Sequence, residues 1–125
     1  MRLALSVLCL GWCAALHAQG GAQAAVRLLV QSSPLAGYRH AEAPEVWPLL
    51  RVGDRLQLAR EPDNPHDANA VRVLWQGRKL GYVPRAENAA LAWALDRGES
   101  LQARIRVLHE HRNGRRRMEF EVSME

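Results

Sequence analysis

The chain has 125 residues and a formal net charge of +4, with 17 Lys and Arg against 13 Asp and Glu. Hydrophobic residues make up 48% and charged residues 24%, which is typical of a globular domain and excludes a disordered chain. The length holds one domain, so it excludes a motor ATPase, a Rossmann dehydrogenase and a TIM barrel. The sequence has no glycine-rich phosphate-binding loop. A small enzyme, a binding module or a structural domain remains.

The first residues have the layout of a secretory signal peptide. A basic start at Met1 and Arg2 is followed by an apolar run over residues 3–16 and then by small residues. We predict cleavage after Ala18, with cleavage after Ala24 as the alternative. The apolar run is shorter than the roughly 20 residues of a membrane span, so we expect an exported protein, periplasmic or secreted, without a stable membrane span. The other interpretations are a buried strand, or a misassigned start codon and a cytoplasmic protein.

The predicted signal peptide, residues 1–18, contains both cysteines, Cys9 and Cys13. The mature chain therefore has no thiol with which to form a disulfide. Small and polar residues at 19–25 predict a flexible lead-in, and residues 26–125 form the predicted domain. A core of about this size can be stable without disulfides or metals.

Short strands dominate the predicted domain. Residues 26–31 and 55–60 alternate between apolar and polar side chains, which predicts two strands. Residues 61–69 are a dense cluster of turn formers, and residues 70–83 predict a hairpin that turns at 76–78. Inward-facing or buried positions are predicted in the second strand and in the irregular segment before it: Leu56, Leu58, Val46, Trp47, Leu49 and Leu50.

One helix is predicted, from Pro84 to Asp96. Leu91, Ala94 and Leu95 share one face of it, and Gly98 lies where a helix C-terminal glycine belongs. We interpret the tryptophans of the domain as core residues: Trp47, Trp75 and Trp93.

The last 25 residues predict a second hairpin. Asn113-Gly114 is a strong signal for a two-residue turn. A turn of that length places Val107 opposite Phe120 and Arg106 opposite Glu121. The same register pairs Ile105 with Val122 and Glu110 with Arg117, and it turns His109 inward.

Five or six short strands with one helix predict a mainly β fold that closes into a small barrel. We expect no metal site, because His109 and His111 have no third ligand, and no cofactor. We expect no enzyme activity, because the mature chain has no cysteine and no serine in a nucleophile elbow. Arg112, Arg115, Arg116 and Arg117 flank the second hairpin turn, either as a phosphate-binding finger or as a solvated tip.

The segment from Leu58 to Arg85 resembles the HIRAN domain family. It reads Leu-Ala-Arg-Glu-Pro-Asp-Asn-Pro-His-Asp-Ala-Asn-Ala-Val-Arg-Val at its start and Gly-Arg-Lys-Leu-Gly-Tyr-Val-Pro-Arg at its end. Weaker similarity extends from about Leu35 to Leu108. The resemblance implies a small OB-like β-barrel with a helix. It also implies a non-catalytic module that binds single-stranded DNA with a free 3′-hydroxyl end. The zinc site and ATPase of larger family members have no counterpart in this chain.

The resemblance also implies which residues bind. Asp67 would accept a hydrogen bond from the 3′-hydroxyl, Arg39 and Arg85 would hold phosphates, and the remaining site residues would supply stacking surface: His40, His66 and Tyr82. The family's second aromatic after the basic position is Ala41 here, which cannot stack.

Each of these assignments has a structural alternative. Asp67 can simply build its loop as an Asx turn, and Arg85 can be a solvated charge. The second hypothesis is therefore an exported β-barrel that has lost DNA binding and serves a structural or protein-interaction role. A small hydrolase is a third, for which the sequence offers no nucleophile or metal site.

Overall fold

The computed structural model describes residues 28–124. The predicted signal peptide at 1–18, both cleavage sites, the lead-in at 19–25 and the first two residues of the first predicted strand lie outside the described residues. Within 28–124, no helix is both long and apolar enough to cross a membrane.

The fold is mainly β, as predicted: a six-stranded antiparallel sheet with short helices. The strand order is β1-β6-β5-β2-β3-β4. The strands are β1 Leu28–Pro34, β2 Arg55–Arg60, β3 Val71–Trp75, β4 Arg78–Tyr82, β5 Leu101–Glu110 and β6 Arg116–Met124. The α-helices are α1 Ala43–Val46 and α2 Ala89–Asp96, and 3₁₀ turns lie at Tyr38–His40, Trp47–Leu49 and Arg85–Glu87.

The two end strands of the sheet approach each other at one point. Just after β1, Ala36 exchanges two backbone hydrogen bonds of 2.9 Å with Tyr82 at the end of β4. We call this contact the Ala36–Tyr82 bridge. In the described part of the chain it is an isolated bridge and not a strand pair, so complete closure of the sheet into a barrel stays a prediction.

One hydrophobic core lies beneath the sheet, and α1 and α2 contribute to it. Trp47 and Trp75 are buried as predicted, whereas Trp93 is 58% exposed. The prediction for Trp93 was wrong. Helix α2 buries the face formed by Leu91, Ala92 and Ala94, and Trp93 lies on the opposite face. Leu49, predicted in a buried turn, is also exposed.

The first predicted hairpin is confirmed. β3 and β4 pair antiparallel, and the two loop residues between them, Gln76 and Gly77, have positive φ angles of 47° and 78°. Two consecutive positive φ angles define a type I′ turn, which matches the twist of the flanking strands.

The predicted register of the second hairpin was wrong. His111 and Arg115 close the turn by a backbone hydrogen bond of 2.7 Å, so the loop has three residues and ends in Gly114 at a φ of 81°. The added residue shifts the pairing, and a bulge between Ile105 and Val107 shifts it again. Phe120 consequently pairs with Ile105, and His109 is exposed.

The predicted helix begins later than expected. Residues 85–87 form a 3₁₀ turn, in which Glu87 N–H donates to the Pro84 carbonyl at 2.9 Å, and α2 starts only at Ala89. Its end is as predicted, since Gly98 at a φ of 78° and Glu99 bond back to the last turn in a Schellman arrangement.

Candidate functional site

A cavity of about 370 Å³ lies where the loop after β2, the end of β4 and the segment after β1 meet. Of the six predicted site residues, four line it: His66, Asp67, Tyr82 and Arg85. The rest of its wall is Ala36, Gly37, Asn64, Ala70 and Val83. Arg39 and His40 are not part of this wall.

The loop at 61–70 is built by its own polar side chains. Asn64 Oδ1 accepts a hydrogen bond from the backbone N–H of His66, and Asp67 Oδ1 accepts one from Asn69, each at 2.9 Å. Both are Asx turns, which fix the loop without a regular element. The structural alternative for Asp67, an Asx turn that builds the loop, is therefore confirmed.

Arg60 connects this loop to helix α2 by hydrogen bonds and an ion pair. The sequence did not identify this residue as part of the site. Its guanidinium donates to the carbonyls of Ala68 and Ala70 at 3.0 and 2.9 Å and pairs with Asp96 at 2.9 Å. The fork of an arginine suits several acceptors at once. The only available signal was the position of Arg60 directly before the turn cluster.

The second oxygen of Asp67 is oriented by a buried amide. Asn88 is 2% exposed, and its Nδ2 donates to Asp67 Oδ2 at 2.6 Å. An ionised carboxylate offers about four lone-pair sites, and these two hydrogen bonds use two of them. The Asp67 carboxylate is thus held in place, partly exposed, and still able to accept hydrogen bonds from a ligand.

Tyr82 is held by charges at its hydroxyl. The hydroxyl donates to the Glu61 carboxylate, whose oxygens lie 3.0 and 3.1 Å away, and accepts from Lys79 Nζ at 2.6 Å. Lys79 Nζ also lies 4.2 Å from the ring centroid. These contacts fix the plane of the ring at the cavity wall.

Glu61 anchors both the loop and this ring. Burial of its carboxyl by itself raises the pKa, but hydrogen bonds from Tyr82 and Asn64 and the positive charges of Lys79 and Arg72 outweigh burial, so the pKa lies below its ordinary value. Asn64 Nδ2 donates to Glu61 at 2.8 Å. These contacts join the loop to the Tyr82 ring through Glu61.

The segment after β1 reaches the cavity because β4 has a glycine at the crossing point. A Cβ atom on Gly81 would lie 2.3 Å from the Ala36 carbonyl oxygen, which no side chain permits. The neighbouring Ala36–Tyr82 bridge then brings Gly37 beside the Tyr82 ring. A Cβ atom on Gly37 would lie 3.8 Å from Cδ2 of Tyr82. Residues 36 and 37 thereby complete the cavity wall.

Two arginines differ in how they reach the site. Arg85 is exposed at the cavity and has no ion pair within residues 28–124. Arg39 is exposed on the Tyr38–His40 turn, and its Nε donates to the Tyr38 hydroxyl at 3.5 Å. That hydrogen bond and the adjacent positive charge lower the pKa of Tyr38. His40 is exposed on the same turn, outside the cavity.

The two exposed histidines of the second hairpin lie side by side. The rings of His109 and His111 are 4.3 Å apart, edge to face. Within the described 28–124 stretch, no three His, Cys, Asp or Glu side chains come close enough to share a metal ion.

Comparisons with known proteins agree with this architecture. A protein from Lactobacillus plantarum superposes with a TM-score of 0.66 at 25% identity, over 80% of this chain and 98% of that chain. The HIRAN domain of human HLTF superposes with a TM-score of 0.61 at 20% identity, over 78% of each chain, which supports the shared fold. No curated protein matches. Residues 28–125 match the family profile of the HIRAN domain, and the chain therefore belongs to the HIRAN domain family.

Proposed function

We propose that this protein is a non-catalytic nucleic-acid-binding module that prefers single-stranded DNA with a free 3′-hydroxyl end. Membership of the HIRAN family supports a non-catalytic binding module. The finer assignment rests on the cavity, where a fixed carboxylate, an aromatic ring and an exposed arginine are brought together.

The observation that carries the proposal is the Asp67 carboxylate, which keeps free acceptor sites while Asn69 and Asn88 fix its orientation. A carboxylate only accepts hydrogen bonds when ionised. It therefore favours a hydroxyl, which donates, and repels a phosphate group, which carries negative charge. A terminal 3′-hydroxyl satisfies this requirement and a 3′-phosphate does not.

The remaining wall suits the rest of a terminal nucleotide. The Tyr82 ring, fixed by Glu61 and Lys79, offers a face for a sugar or base, and exposed His66 offers a second aromatic surface. Stacking of a base on an aromatic side chain contributes about 1–3 kcal/mol. Arg85, without an ion pair in the described part of the chain, is placed to neutralise a backbone phosphate.

Arg39 and His40 belong to the proposal as a neighbouring contact. They lie on the exposed turn that follows Gly37, whose backbone lines the cavity. Arg39 would hold the phosphate of a nucleotide that leaves the cavity, and His40 would stack on its base. Ala41 adds no aromatic surface there.

The first experiment measures binding of a labelled single-stranded oligonucleotide ending in a 3′-hydroxyl, beside a twin ending in a 3′-phosphate. The proposal expects tighter binding of the hydroxyl end. Equal and salt-sensitive binding of both ends would mean a general polyanion surface instead. Absence of binding would favour the second hypothesis, an exported structural or protein-interaction domain.

Asp67→Asn tests the carboxylate without removing its shape. We expect about a tenfold loss of preference for the 3′-hydroxyl, since hydrogen bonds to charged groups contribute roughly 1.5–3 kcal/mol. The 3′-phosphate twin should bind the variant more tightly than it binds the wild type, because a repulsive charge is gone. Asp63→Asn is the matched control: Asp63 is exposed in the same loop and does not line the cavity. A tenfold effect in both variants would contradict the role of Asp67.

We also propose that the sheet closes into the OB-like barrel implied by the family resemblance. The Ala36–Tyr82 bridge supports this, because it joins the segment after one end strand to the other end strand. Slow hydrogen exchange at the amides of Ala36 and Tyr82, comparable with that of the β5–β6 ladder, is the expected result.

A further inference from the structure

A second, smaller cavity of about 110 Å³ lies beside the first. Its wall includes Tyr38, Trp47, Arg116 and Arg117. The segment at residues 35–38 separates the two cavities.

Backbone hydrogen bonds fix this separation. Leu35 N–H donates to the Met118 carbonyl in β6 at 3.0 Å, while Ala36 pairs with Tyr82 in β4. Two interstrand spacings, about 10 Å, therefore separate Tyr82 from Met118. A chain that leaves the first cavity over Gly37 arrives directly at Tyr38 and the second cavity.

The second cavity combines an aromatic surface with cations. Tyr38 is half-buried against the core, and the Arg39 guanidinium lies 5.9 Å from its ring centroid. The Arg116 guanidinium lies 5.5 Å from the Trp47 ring. A positively charged groove with aromatic side chains is the arrangement that proteins use to bind single strands without sequence preference.

Beyond this cavity, two arginines without an ion pair in the described part of the chain lie at the tip of the β5–β6 hairpin. Arg116 pairs with Glu110, and Arg117 pairs with Glu119. By contrast, Arg112 and Arg115 are exposed and form no ion pair within residues 28–124. From Met118 to Arg115 the strand rises about 10 Å. The path from Tyr82 across the second cavity and along the strand to the tip is thus about 20 Å long.

We propose that a single strand held by its 3′ end in the first cavity continues across Tyr38 and along this hairpin. Arg112 and Arg115 bind its backbone phosphates. The binding site then covers several nucleotides of the strand, within the roughly 4–16 that an OB fold typically covers. This inference rests on the proposed function, since the first cavity must hold the 3′ end.

The test compares a trinucleotide with a dodecanucleotide, both ending in a 3′-hydroxyl, over a range of salt concentrations. The variant is Arg112→Gln with Arg115→Gln. We expect its affinity for the trinucleotide to stay within about twofold of wild type and its affinity for the dodecanucleotide to fall about tenfold at low salt. The slope of log affinity against log salt should decrease by about 1.4 for the dodecanucleotide, because each phosphate that an arginine neutralises on a single strand adds roughly 0.7 to that slope.

A matched control removes the same charge elsewhere. Arg51→Gln with Arg55→Gln removes two exposed arginines that also form no ion pair in the described part of the chain. In the β2–β5 ladder, the backbone of Arg55 lies opposite that of Arg104. About 26 Å of the hairpin separates Arg104 from Arg112. We expect this variant to keep the wild-type slope. An equal decrease in both variants would overturn the inference in favour of a general charge effect.

A second variant tests the route itself. Tyr38→Leu keeps apolar contact with the core but removes the ring, so we expect weaker binding of the dodecanucleotide with an unchanged slope of log affinity against log salt. Equal affinity of the wild type for both lengths, with a 3′-hydroxyl preference intact, would overturn the route and leave the proposed function standing. A wild type that binds DNA without any 3′ preference would overturn the proposed function, and the anchored route with it.

Discussion

Asp67 builds its loop and keeps the acceptor sites that the proposed binding role needs. One oxygen builds the loop with Asn69, the other accepts from Asn88, and acceptor sites remain on both. The Asx turn follows from local spacing and could be predicted. The contact with Asn88 could not, because 21 residues separate the two and only the packing of α2 brings them together.

The same distinction applies to Tyr82. Its position on β4 follows from the hairpin pattern, whereas its partner Glu61 lies 21 residues earlier and its partner Lys79 three residues earlier. The family resemblance implied an aromatic residue at the site, and Glu61 lies in the predicted turn cluster. The sequence did not predict that one hydrogen-bond network joins them.

We expect this network to make the stability of the protein depend on pH in the acid range. The pKa of Glu61 in the folded state lies below its ordinary value of 4.5. The unfolded chain therefore binds more protons in that range, and the stabilisation from Glu61 is complete above about pH 4.5 and lost as the pH falls through the folded pKa. We expect Glu61→Gln to be less stable than wild type at pH 7, with a difference that shrinks on acidification.

Urea unfolding between pH 3 and pH 7 measures this difference. Tyr82→Phe, which removes the hydroxyl donor to Glu61, should weaken the same pH dependence. A difference between wild type and Glu61→Gln that stays constant across the range would show that the network does not lower the pKa of Glu61.

At the scale of elements, hairpins and helix ends were predictable because their signals are local. The type I′ turn between β3 and β4 and the glycine after α2 are both where the sequence placed them. The β5–β6 register was not predictable, because Asn113-Gly114 also fits a three-residue loop with Gly114 in the left-handed region. The bulge at residues 105–107 has no signal in the alternation of its strand.

Gly81 is the position at which one residue decides how two elements meet. Gly81→Ala places a Cβ atom 2.3 Å from the Ala36 carbonyl oxygen, so the segment after β1 must move away from β4. Overpacking of this kind typically costs about 1–3 kcal/mol. We expect a loss of stability in that range, and weaker binding of the 3′-hydroxyl oligonucleotide because Ala36 and Gly37 leave the cavity wall.

Gly98→Ala is the control for Gly81→Ala. Gly98 has a φ of 78° with nothing within 4 Å of an added Cβ, so that variant suffers backbone strain alone, about 1–2 kcal/mol. Thermal unfolding and oligonucleotide binding separate the two variants. If Gly98→Ala weakened binding as much as Gly81→Ala, the close approach at Ala36 would not be the cause.

At the scale of the whole molecule, the cavity exists because distant parts of the chain converge. The segment after β1, the loop after β2 and the end of β4 each contribute a wall, and Arg60 ties the loop to α2 through Asp96. Of the six residues that the family resemblance implied for the site, four line this cavity. Their geometry depends on the Ala36–Tyr82 bridge, which joins residues 46 positions apart and has no local signal.

The location of the protein determines which nucleic acid it can meet. The order of basic start, apolar run and small residues before Ala18 predicts export. Expression of the full chain in a bacterial host should therefore yield a protein that begins at Gln19, or at Ala25 for the alternative site. Intact-mass spectrometry of the purified protein identifies the N-terminus, and it also reports whether Cys9 and Cys13 have been removed.

Replacing both Ala18 and Ala24 by leucine provides the control for processing. Large residues do not fit the cleavage site, so the doubly substituted chain should keep its N-terminal segment. A wild-type protein that keeps Met1 in the cytoplasm would contradict export and place the DNA-binding proposal inside the cell. A processed protein would instead direct the search for its ligand to nucleic acid outside the cytoplasm.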